Sequence, residues 1–151
     1  MRSITASVLA VACVLVFSAP WTGAAKMLTG DIKKELQTAT FHASELAQRG
    51  NSVAASKLHL QHVINCLVGD TGSNFKLDAG YPCQGQGNGI IPDLKAAAAM
   101  NYPGAAKALK EATLSLDLAV QALAKTDVNE VQPWAKVVAD HLKAALAALG
   151  S

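Results

Sequence analysis

The chain has 151 residues, of which 51% are hydrophobic and 16% charged, and a formal net charge of +2. That length supports one ordinary domain with a buried core. The near-neutral balance lacks the dense basic patch that nucleic acid or an anionic membrane surface would require, so neither is expected as a partner.

The first residues read as a secretory signal. Met1-Arg2 forms a short positive start, Val8 to Phe17 an apolar run, and Thr22-Gly23-Ala24-Ala25 a small-residue site before the chain turns polar at Lys26. Residues 1–25 are therefore expected to be cleaved, leaving 26–151 as a single helical domain, periplasmic or secreted. Lipid anchoring at Cys13 is disfavoured because the apolar run continues beyond that cysteine. No run reaches the roughly 20 apolar residues of a transmembrane span.

Behind the signal, alanine and leucine at helical spacing predict an all-α fold. A first helix is expected over about 29–49, with Ile32, Leu36, Ala39, Ala43 and Leu46 as its inward seam and Gly50 as its stop. A second begins at Ser52, a good N-cap, and runs to Val68; Lys57, Gln61 and Asn65 form its one narrow polar stripe. Residues 69–92 follow as a Gly-rich loop without regular period. A short helix is predicted over 93–101, before Tyr102-Pro103-Gly104. A third long helix then runs to about Lys125 on a seam of Leu109, Ala112, Leu116, Ala119 and Leu123. The fourth is expected over about 133–149, with Pro133 in its first turn and Asp127 with Glu130 capping a separate turn ahead of it. Together these predict an antiparallel up-and-down four-helix bundle with one long loop between helices two and three.

Two cysteines remain after the signal, Cys66 and Cys83. In an oxidising compartment they are expected to pair, closing a loop worth about 3 kcal/mol on the chain-entropy model. The pair would tie the Gly-rich loop to the end of helix two and remove Cys66 as a thiolate ligand.

Histidines carry the functional signal. His59, His62 and Cys66 fall within an arc of about 60° on helix two. His141 lies on the inward stripe of helix four, and His42 lies about 70° off the seam of helix one. Facing helices of a bundle are where metal and cofactor sites are built, and imidazole suits copper, zinc and haem iron. A metal site is thus expected from His59 and His62, completed by His141 or His42. Copper or zinc fits a nitrogen-rich set; non-covalent haem b is the other candidate, with Met100 as an axial ligand. Covalent c-type haem is excluded by the absence of C-x-x-C-H. No Asp or Glu is expected on the inward stripes, which speaks against a di-iron carboxylate site. The competing reading of each histidine is a structural one, hydrogen-bonded at the core boundary.

Other patterns are weaker. Gly85-Gln86-Gly87-Asn88-Gly89 has the glycines of a phosphate loop but neither a preceding strand nor a G-K-[ST] ending. Asp70, Asn74 and Asp78 do not have EF-hand spacing. No nucleophile–base motif is present, so an enzyme is not expected. The architecture resembles that of small periplasmic four-helix bundles, among them haem-binding and metal-storing proteins, which implies storage, delivery or electron transfer. The alternative is an envelope interaction module, in which the disulfide-tied loop presents Phe75 and Tyr81 to a protein partner.

Overall fold

The computed structural model describes residues 22–150, with side chains over 31–150. Nearly all of the expected signal segment, including Cys13, lies outside these residues; its last four begin the first helix. The described residues form five α-helices: α1 (Thr22–Phe41), α2 (Val53–Val68), α3 (Ile90–Ala99), α4 (Ala105–Leu123) and α5 (Val128–Ala148). A π-helical turn, His42–Ala47, continues α1, and a 3-10 turn, Leu77–Ala79, lies in the long loop. The described residues contain no strand, and no helix among them is long and apolar enough to cross a membrane.

The expected all-α class holds, with five helices where a four-helix bundle was expected. α1 packs against α2 and α5, and α4 packs against the same two. α3 closes against α1, α2 and α4. It starts three residues earlier than its composition suggested because Ile90 and Ile91, both buried, anchor its first turn.

The seams also differ in detail. The core face of α4 is small: Ala105, Ala108, Ala112, Ser115, Ala119 and Ala122 are buried, while Leu109, Leu116 and Leu123 pack along the flanks. Alanine lets the α4 backbone approach α5, whose buried face is Val131, Ala135, Val138, Ala139, Leu142 and Ala145. α5 also starts earlier than expected. Asp127 is its N-cap, accepting a hydrogen bond from Asn129 N, so Pro133 lies inside the helix. The cap and the buried Val131 sustain the first turn despite the hydrogen bond that proline removes.

Ser52 caps α2 as its position predicts, accepting from Ala55 N. Cys66 and Cys83 are joined by a disulfide, and both are fully buried. This bridge folds the 69–89 segment back over α2.

Candidate metal centre

Three imidazoles meet where the π turn of α1 passes α2. His59 and His62 are three residues apart on α2, and their Nδ1 atoms lie 3.3 Å apart. His42, the first residue of the π turn, brings its Nδ1 to 3.2 Å from that of His62. One nitrogen from each of the three lies within 4.8 Å of those of the other two. Each ring is half-buried.

Local winding explains how His42 comes to face α2. π-helical turns inside α-helices concentrate at functional sites because the wider turn re-aims the side chains around it. Here the inward face moves from the expected Leu46, half-buried, to Ala47, fully buried. Ala43 and Ala47 pack the turn against α2 and α5, and His42 stands at the α1–α2 seam.

The surroundings hold two of the three rings, His42 and His59, neutral. Burial, followed by the neighbouring His62 and His59, lowers the His42 pKa to about 4. Burial and His62 also lower that of His59. A neutral imidazole offers a lone pair, which is what a metal requires.

His62 is oriented from its other side. Its Nε2 lies against the carbonyl oxygen of Ala79, in the 3-10 turn of the loop. A carbonyl only accepts, so Nε2 carries the hydrogen, and in the neutral ring Nδ1 is left with the lone pair. The tautomer follows from the partner and directs that lone pair toward His42 and His59.

Gln61 and Asn65, on the expected polar stripe of α2, are covered by the loop. Gln61 is 6% and Asn65 0% exposed. Gln61 Nε2 donates to the Asn74 carbonyl at 2.9 Å. The signal for this was the neighbouring Cys66, whose bridge requires the loop to lie on this face.

The cluster contains His42, His59 and His62 and none of the remaining candidates. His141 Nδ1 pairs with Glu111 Oε2 at 2.7 Å and ties α5 to α4, so an inward position on the helix did not bring it to the cluster. Met100, 48% exposed, is the C-cap residue of α3. Phe75 and Tyr81 stack edge-on, with ring centroids 5.2 Å apart, and pack against the core. Asp70 and Asp78 are exposed and join no ligand group.

Two carboxylates contradict the expectation that none would face inward. Glu35 is fully buried and Asp93 nearly so. Glu35 follows Ile32 by three residues, a spacing that puts it on the seam. Its Oε1 accepts from Gly89 N at 3.1 Å, and Asp93 accepts from the backbone and side-chain nitrogens of Asn88. A Cβ on Gly87 would collide with Asp93 Oδ2 and come within 2.9 Å of Glu35 Oε1, so only glycine lets the loop pass over them. Burial and the Asp93 charge push the Glu35 pKa up to about 8. Burial, with Glu35, Asp70 and Asp93 nearby, pushes that of Tyr81 up to about 12.

No family model matches this chain, no curated protein is similar to it in sequence, and no solved structure matches its fold. What the site can do therefore rests on its own chemistry. Tetrahedral coordination with metal–nitrogen bonds of about 2.0–2.1 Å sets ligand nitrogens about 3.3–3.4 Å apart. The 3.3 and 3.2 Å separations around His62 are close to that edge length, and the three histidines could hold one ion.

Proposed function

We propose that this protein is an exported, non-catalytic carrier that binds one copper or zinc ion through His42, His59 and His62. The observation behind this reading is the convergence of three Nδ1 atoms, with separations of 3.2 and 3.3 Å around His62. Three imidazoles without thiolate or carboxylate suit copper and zinc better than calcium or magnesium.

Haem fits the geometry less well. Its two axial ligands stand on opposite faces of the macrocycle, and nitrogens this close leave no room for a ring between them. A three-histidine set leaves the fourth tetrahedral position to solvent or to a ligand from another molecule. Half-buried rings allow an ion to enter and leave, which suits storage or delivery. The buried disulfide accords with an oxidising compartment.

The test is zinc and copper titration of the protein with metal analysis, repeated on a variant carrying both His59→Ala and His62→Ala. One equivalent in the parent and none in the variant is expected. Full loading of the double variant would sink the assignment.

A further inference from the structure

Asn65 is fully buried one turn beyond His62 on α2, and every hydrogen-bonding position of its side chain is used. Oδ1 accepts from Lys76 N at 2.9 Å and from Gln61 Nε2 at 3.0 Å. Nδ2 donates to the carbonyls of Lys76 at 2.8 Å and Gly80 at 2.6 Å. An asparagine amide has two donor and two acceptor positions, so this one is saturated. Its partners bracket Ala79, the residue whose carbonyl meets His62 Nε2.

Two further features hold the same segment. The disulfide fastens Cys83 to Cys66, the residue after Asn65. Gly80 takes a φ of 97°, a left-handed value that side chains resist, and a Cβ there would lie 3.3 Å from His62 Nε2. The 76–80 backbone is thus pressed against the imidazole from above, with Asn65 as its anchor. Metal-bound histidines commonly donate their second N–H to a carbonyl or carboxylate, which sets tautomer and ring angle.

We propose that Asn65 is a positioning residue for the histidine centre: by clamping Lys76 and Gly80 it holds the Ala79 carbonyl on His62 Nε2 and keeps the His62 Nδ1 lone pair aimed at the ion. The inference rests on the metal-binding reading, but the tautomer it requires exists without metal and is read separately. No residue of the clamp is a ligand, so it acts on affinity through His62 alone.

The experiment is nitrogen-15 NMR of the histidine rings in the metal-free protein, followed by zinc titration, on the parent chain and on Asn65→Ala. In the parent, His62 should show the Nε2–H form with a protected ring proton. In Asn65→Ala that protection should disappear, the Nδ1–H form should become detectable, and zinc affinity should fall about 10–100-fold. A folded Asn65→Ala protein that keeps the parent ring signals, or changes them without losing zinc affinity, overturns the proposal. So does a parent His62 in the Nδ1–H form. Should Asn65→Ala fail to fold, Asn65→Asp carries the same test, because it keeps an acceptor for Lys76 N and removes both donors to the Lys76 and Gly80 carbonyls. A parent protein with the expected tautomer and no zinc binding removes the metal reading and with it the role assigned to the clamp. The tautomer data would then still record how the loop orients His62.

Discussion

Glu35 illustrates how much one buried group can tell about this chain. Its carboxyl is fully shielded from water, one oxygen accepts from Gly89 N, and the other has no hydrogen-bond partner among the described residues. A charge there is costly, so the folded state holds the proton more tightly than the unfolded chain does. Its contribution to stability is fully present below about pH 4.5 and is lost as the pH rises toward about 8. The slope in that window is at most about 1.4 kcal/mol per pH unit. Glu35→Gln cannot ionise and should flatten the profile, as measured by urea unfolding at several pH values; an unchanged slope in the variant would place the titration elsewhere. The burial of Glu35, Gln61 and Asn65 is not legible in the sequence, for one reason. Polar side chains at seam or stripe positions are assigned to water unless a partner is known, and each of these has its partner in the 69–89 loop.

At the scale of elements, two features decide where the site lies. The π turn moves the inward face of the first helical segment by one residue between Leu46 and Ala47 and leaves His42 against α2. The second is the bridge that lays the loop on α2. Replacing Cys66 and Cys83 by serine should cost about 3 kcal/mol on the loop-entropy model. Hydrogen exchange should then show the first loss of protection over residues 69–89, and uniform loss across all helices would argue against a local role. The alanine face of α4 makes a separate claim. Ala112 is fully buried, so Ala112→Leu should force α4 and α5 apart and destabilise the fold by about 1–3 kcal/mol. This would be read as a lower urea midpoint at an unchanged m-value.

For the whole molecule, the proposed metal binding would be linked to folding, because the three histidines come from two segments that only the folded state brings together. An ion that binds the native state alone stabilises it by about 2.7 kcal/mol at a free concentration 100 times its Kd. Zinc or copper should therefore raise Tm in the parent protein, and the rise should vanish when His59 and His62 are both alanine. An equal rise in both proteins would point to metal held elsewhere. His141 is expected to behave differently. It pairs with Glu111 across α4 and α5, so His141→Ala should lower stability while leaving metal stoichiometry unchanged.

Several properties were legible in the sequence because they are local. Helical periodicity carried the all-α class, and a spacing of three residues put His59 and His62 on one stripe whatever the rest of the fold does. The pairing of Cys66 with Cys83 followed from there being only two cysteines behind the expected signal. The tertiary structure alone decided that His42 and not His141 completes the cluster, that α3 joins the other helices, and that Asn65 lies beneath a loop. These outcomes depend on contacts between segments remote in sequence: a change of winding at one helix end, the close approach that alanine permits between α4 and α5, and a covalent tie that lays the loop on α2. A one-dimensional pattern gives the face of each helix; which faces meet is determined by how all of them pack at once.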